Sequence, residues 1–251
     1  MHRFNYYTRK AHRYLGLIIG IQFLLWTTGG VFFSWTDIRE IRGEHLMKER
    51  EVAVPIEKFL ISPDEAASAV RNAIGEGNIT SIRAAELFGE PYYEIGFGDA
   101  ENSGFLMVAA ADGKIRPAVT EDEARRIAAD ALKPEGEIAR IRYIEKQDLG
   151  THNEFRTRPL PAWAVDFNRP EGLTIYVSAS TGRVDAFRTN SWRVYDFLWM
   201  VHTMGYQNRD DFNNYLLRGF ALFGFVTVIT GFVLFFVTSR TLRRMIRRGG
   251  S

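Results

Sequence analysis

Hydrophobic and polar positions divide this chain into three zones. Residues 14–36 and 219–239 contain no Asp, Glu, Lys or Arg. As helices rising about 1.5 Å per residue, both are long enough to cover the roughly 30 Å of a bilayer's hydrocarbon core. Between them the sequence has ordinary globular composition, with short β-rich or alternating runs set between helix-start signals. The pattern predicts two transmembrane helices flanking an α+β domain.

The middle zone carries two similar passages. Ser62-Pro63-Asp64-Glu65 opens one helix, with Ser62 as N-cap, Pro63 in the first turn and Glu65 at capping-box spacing. Thr120-Glu121-Asp122-Glu123 opens another in the same way, with Thr120 and Glu123 as the box. After the first helix, strands are predicted over 79–87, 92–97 and 104–110, and an Asp112-Gly113 turn leads into 114–119. After the second they fall at 138–145, 162–167 and 173–179, with Thr181-Gly182 leading into 183–187. Phe105 to Ile115 and Thr174 to Val184 align best, both reading strand, turn, basic residue, aliphatic. Two α-β-β-β units with antiparallel sheets, each of about 60–70 residues, are expected. They occupy 37–118 and 119–189.

Charge supplies orientation. Arg3, Arg9, Lys10 and Arg13 precede the first span, and Arg240, Arg243, Arg244, Arg247 and Arg248 follow the second. The inner flanks are mixed, with Asp37, Arg39, Glu40 and Arg42 on one side and Arg209, Asp210, Asp211 and Arg218 on the other. Basic residues next to a span favour the cytoplasmic side. Tails 1–13 and 239–251 are therefore expected in the cytoplasm and the domain outside it. A cleaved signal peptide fits poorly, because its apolar region is shorter and a small-residue cleavage site should follow. Here the segment ends Val31-Phe32-Phe33-Ser34-Trp35. The formal net charge of +2 comes mostly from the tails and reads as contact with anionic lipid, not nucleic-acid binding. The chain has no cysteine, which excludes thiolate metal sites, cysteine nucleophiles, iron–sulfur clusters and covalent haem attachment.

Candidate chemistry is sparse. His12, Gly16, Gly20, Phe23, Thr27, Gly30 and Ser34 form one stripe of the first span, small or hydroxyl-bearing apart from Phe23. Small residues four apart let a neighbouring backbone come close, so the stripe is a candidate interface, with Gly224, Thr227 and Gly231 as the matching face of the second span. Residues 190–215 are expected to hold an interfacial helix and linker, with Tyr195, Trp199 and His202 on one face. His2, His45 and His152 have no second ligand at metal spacing, and there is no HExxH and no nucleotide-binding glycine motif. The stretch 147–160 reads either as a mobile strand connection or as a partner loop.

The helix starting Pro63-Asp64-Glu65-Ala66, with strands ending in a Gly-turn hairpin, is similar to the PepSY domain. Arg9-Lys10-Ala11-His12-Arg13-Tyr14-Leu15-Gly16-Leu17 resembles the opening of PepSY-associated transmembrane proteins, where a basic residue and a His precede an aromatic, Leu and Gly. Phe197-Leu198-Trp199-Met200-Val201-His202 resembles that family's second histidine segment, and Gly224 with Thr230-Gly231-Phe232 resembles its last span. The resemblance covers nearly the whole chain. It implies a place in the bacterial inner membrane with a periplasmic domain, and a link to iron uptake. Larger members carry two helix pairs, and some are haem b reductases of ferric siderophores; this chain has one pair, so a complete haem bundle needs a homodimer or another subunit. On that reading His12 and His202 are haem ligands, and Arg9 and Arg13 pair with the propionates, with no metal beyond the haem iron. Two axial nitrogens lie about 4 Å apart, whereas these histidines should be separated by about 30 Å, so one chain cannot supply both ligands to one iron. The sequence contains no catalytic motif, so whether the chain is an enzyme stays open. Isolated PepSY domains imply the alternative, an extracytoplasmic module that holds or inhibits a peptidase, peptide or envelope partner, or an accessory subunit of a membrane complex.

Overall fold

A computed structural model describes residues 2–48, 54, 56–75, 77–99, 103–133, 135–150, 153–155, 158–170, 172–206 and 213–239. The arginines of the 240–251 tail, the Arg209-Asp210-Asp211 flank and His152 lie outside the described residues. In chain order the elements are α1 (His2–Trp35), α2 (Ile38–Ile41), α3 (Pro63–Ile74), β1 (Ile79–Leu87), β2 (Glu90–Gly98), β3 (Ser103–Ala109), α4 (Glu121–Asp130), β4 (Glu137–Ile144), β5 (Ala162–Arg169), β6 (Leu173–Ser178), β7 (Val184–Arg188), α5 (Asn190–Thr203) and α6 (Tyr215–Thr238), with short 3-10 turns at Glu44–Leu46, Ile56–Lys58 and Lys146–Asp148. They form two compact units, 1–37 with 194–251 and 38–193.

The helical unit contains two helices long and apolar enough to cross a membrane, Tyr6–Trp35 and Tyr215–Thr238. No proline or glycine precedes Gly16, so the basic segment 2–13 continues the same helix instead of forming a separate tail. The C-terminal part of α6 lies beside the N-terminal part of α1, where His12 meets Thr230. The start of α6 is tied to the end of α5, because the Asn214 amide donates to the Thr203 carbonyl at 3.0 Å. From Val194 onward α5 runs alongside α1 rather than across it. The Phe33 ring meets Tyr195 and Trp199, the Trp26 indole donates to the His202 carbonyl at 2.9 Å, and the Gln22 amide donates to the Val201 carbonyl at 3.2 Å.

This packing selects a different face of α1 from the small-residue stripe. The shaded positions include Thr8, His12, Leu15, Ile19, Gln22, Trp26, Gly29 and Phe33, recurring every four and three residues. Gly20, Phe23, Thr27, Gly30 and Ser34 are exposed, and a methyl group added at Gly16, Gly20 or Gly30 would meet nothing within 4 Å. Of the stripe, His12 and Gly16 are half-buried, and His12 lies on the packed face as well. On α6, Gly224, Thr227 and Gly231 are among the half-buried residues.

In the second unit both expected capping boxes form, at Ser62/Glu65 and Thr120/Glu123. Helix α3 precedes a three-stranded antiparallel sheet ordered β1-β2-β3, and α4 precedes a four-stranded one ordered β4-β5-β6-β7. Both hairpin glycines take the left-handed conformation their turns require, with φ of 73° at Gly113 and 72° at Gly182. The stretch 114–119 makes only a single bridge, Val108 to Ile115, instead of a full strand. Pro117 cannot donate to a ladder, and the Val119 N–H is drawn off to the Ala179 carbonyl at 2.7 Å.

One core lies under α3, around Val70, Ile95 and Val108. A second lies under α4 and includes Ile127, Val165, Ile175 and Phe187. Leu87, from the β1–β2 hairpin of the first sheet, is buried in this second core, so the two sheets share apolar contacts. The stretch 147–160 is neither a bare connection nor an outlying loop: Phe155 is 1% exposed and packs with Tyr176 and Ala164 on the other face of the second sheet. Arg158 Nε holds the Asp185 carbonyl at 3.0 Å, and Arg188 Nε holds that of Glu154 at 2.8 Å.

Candidate functional site

The sequence-predicted site residues all lie in the helical unit. The His12 ring sits on the backbone of Gly231, where an added Cβ would come within 3.2 Å of its Cε1. Its Nδ1 is 3.0 Å from the Thr230 hydroxyl. That hydroxyl has one proton and donates it to the Thr227 carbonyl at 2.9 Å. It therefore accepts from Nδ1–H, which leaves the lone pair of His12 on Nε2. Arg9 and Arg13 are exposed on the same stretch of α1, with the Arg13 guanidinium 5.4 Å from the Tyr14 ring.

His202 lies elsewhere. Its ring is parallel to that of Trp199 within 13° at 6.3 Å, and Trp26 and Phe33 flank it at 5.8 and 6.2 Å. It stands beside Trp26, fourteen residues along α1 from His12, so the two imidazoles are separated by about 21 Å or more. That is far beyond a shared iron. Among the described residues no group of three or more His, Asp and Glu could hold a metal ion.

Two sites in the other unit escaped the sequence reading. The first is a groove of about 460 Å³ lined by five consecutive residues of β1, Arg83–Leu87, facing the hairpin of Thr181–Val184, with Lys48, Asp130 and Ala131 at one end. Leu87, Ile127 and Phe187 give it an apolar floor. Among the described residues strand β1 pairs only with β2, so its other side is a sheet edge. The two-residue turn Phe88-Gly89, both with positive φ, makes Leu87 and Glu90 a hydrogen-bonded pair. Counting back, Ala85 and Arg83 also bond β2, whereas Ile82 and Ala84 turn their N–H and C=O groups outward. Pro91 fits this register, since it stands opposite Glu86 at a non-bonded position and needs no N–H there. The buried carboxylate of Glu94 joins the walls, 3.9 Å from Arg83 and 3.5 Å from Arg183. Arg183 also holds Asp185 at 3.0 Å; burial pushes the Asp185 carboxyl above its usual range, and its Oδ2 has no partner.

The second is a cavity of about 720 Å³ on the far face of the β4–β7 sheet, under the stretch that carries Phe155. Arg142 grips Asp166 through Nε and Nη2, each at about 3.1–3.2 Å, and the Thr174 hydroxyl donates to Asp166 at 2.8 Å. Arg193 forks onto both oxygens of Glu154 at 2.6 and 2.9 Å. Burial opposes the Arg193 charge, but Glu154 outweighs it and holds its pKa above the ordinary value. Burial, then Glu154, raises the pKa of Tyr176. A polar run at inward positions of two strands, Arg140 and Arg142 with Asp166, was the available sequence signal for this cavity. The groove left none, because it depends on pairing between distant segments.

The chain matches no family model, no curated protein and no solved structure.

Proposed function

We propose that this protein is a membrane-anchored binding module that holds an extended segment of an envelope protein in the groove beside β1. The observation that carries this reading is the wall of that groove. Consecutive residues of a strand with outward main-chain groups line an apolar-floored cleft of the size that accepts ligands. An added strand would satisfy the groups of Ile82 and Ala84 and place alternate side chains toward Leu87 and Ile127. In this reading α1 and α6 cross the bacterial inner membrane, both termini are cytoplasmic and 38–193 is periplasmic. The opposed directions of α1 and α6 support termini on one side. The matching caps, strand orders and glycine turns support two PepSY-like repeats. A photo-cross-linking side chain at Arg83 should join this chain to one envelope protein in cells, and Ala84→Pro in the same chain should abolish the product. Cross-linking that survives Ala84→Pro rejects the reading.

The His12 geometry favours a second reading, a haem b-binding component of iron or ferric-siderophore handling that acts as a dimer or with another subunit. A metal-ligating histidine usually donates its other ring N–H to a neighbouring group, and His12 does so to Thr230. Its Nε2 would then be available to hold a haem iron, and the missing side chain at Gly231 makes room for the ring itself. His202 would serve a separate haem, at least about 21 Å away. Bound haem would supply one-electron transfer; Arg9 and Arg13 would pair with its propionates. Protein purified in detergent from haem-replete cells should show a Soret band that His12→Ala and His202→Ala each lower. A colourless preparation rejects this reading and leaves the groove untouched.

A further inference from the structure

The cavity behind the β4–β7 sheet has no part in either reading above. Two of its carboxylates are ion-paired and the third accepts a backbone N–H. Asp166 is held by Arg142 and Thr174, Glu154 by Arg193, and Asp148 by the Glu145 N–H at 2.8 Å. Its donors are less fully engaged. Arg142 keeps Nη1 unengaged, and Arg140 lines the same cavity with no ion pair among the described residues. Tyr176 is only 5% exposed, yet its hydroxyl has no hydrogen-bond partner among the described residues and faces this cavity. That hydroxyl is open to the cavity, so a bound acceptor can meet its O–H directly.

We infer that this cavity binds a small organic anion, whose carboxylate or phosphate meets Arg140 and Arg142 and whose body reaches the Tyr176 hydroxyl. The pairing frame places the donors on one face of the sheet. Arg140 stands opposite Asp166, Arg142 opposite Ala164, and Ala164 opposite Tyr176, so Arg140 and Tyr176 lie on one face but two strands apart. Strands are spaced about 4.8 Å apart and the two positions are also offset by two residues, which separates their backbones by about 12 Å. A cavity of about 720 Å³ leaves room beyond a bare oxyanion. Ile144, Leu149 and Phe155 supply the apolar lining that a carbon skeleton needs. Among the described residues the lining charges without an ion pair are Arg140 and Asp148, and Asp148 already accepts the Glu145 N–H, which leaves Arg140 to the ligand.

The test is calorimetric titration of the full chain in detergent with three probes: citrate, dihexanoyl phosphatidate and inorganic phosphate. Citrate or phosphatidate should bind, and Tyr176→Phe and Arg140→Gln should each weaken that binding about tenfold or more. Binding of citrate marks a soluble acid, and binding of phosphatidate alone marks a lipid headgroup; both support the site. Three outcomes overturn it: no binding of any probe, phosphate binding as tightly as the organic probes, or affinity that neither variant changes. Should Tyr176→Phe fail to fold, Arg140→Gln, at an exposed position, carries the test alone.

Discussion

Truncating Leu87 should weaken a sheet to which it does not belong. The residue ends β1, yet its side chain is 4% exposed within the core of the β4–β7 sheet, close to Gly182 and Ile127. Leu87→Ala removes three carbons, worth about 2.4 kcal/mol at roughly 0.8 kcal/mol each. The cavity left behind adds to this, giving about 3 kcal/mol, near the low end of measured Leu→Ala losses. Native-state hydrogen exchange of the full chain in detergent can read the two sheets separately. If they open together, the amides of β6 should lose about 100-fold in protection, since 1.4 kcal/mol is a factor of ten. Ser81→Ala, in the same strand but outside that core, should leave β6 unchanged. Were Leu87→Ala to lower protection in β2 and leave β6 at its wild-type value, the claim that the two sheets share a core would be wrong.

Gly231→Ala should displace His12 and lose its bond to Thr230, a loss of about 0.6 kcal/mol by the average for polar contacts between membrane helices. Gly224→Ala, with nothing within 4 Å, should leave the thermal midpoint in detergent unchanged and serve as its control. Phe155→Ala should cost about 3–5 kcal/mol and free the 147–160 stretch, seen as faster tryptic cleavage there; equal cleavage rates would contradict its burial. At Glu123 burial raises the pKa, but bonds from the Thr120 N–H and Arg116 outweigh it, so the folded value lies below the ordinary glutamate range. Its stabilisation is present above the unfolded pKa and is lost as pH falls through the folded one. Glu123→Gln should therefore flatten the acid side of a stability–pH curve while changing the shape above pH ~5 little.

Local chemistry made part of this architecture legible. Capping boxes and glycine turns depend on residues within four positions of one another, so Ser62, Thr120, Gly113 and Gly182 could be read directly. The stretch 114–119 misled because its strand propensity competes with a distant acceptor, Ala179. On α1, periodicity gave a helix but not its partner. The small stripe looked like the packing face, whereas Trp26 and Phe33 found aromatic and carbonyl partners on α5, about 170 residues later in the chain. Likewise Phe155 gave no local sign of burial, because its neighbours Tyr176 and Ala164 arrive through strand pairing.

On the proposed reading that α1 crosses a membrane, its length has a geometric consequence. Its 34 residues make a rod of about 51 Å. Submerging such a rod wholly in 30 Å of hydrocarbon would demand a lean of about 54°, beyond the 0–40° seen for spanning helices. Some turns must therefore stand clear of the lipid tails. Arg9, Lys10 and Arg13 mark the end that emerges, so a thicker membrane would pull those charges inward while a thinner one would let them rise.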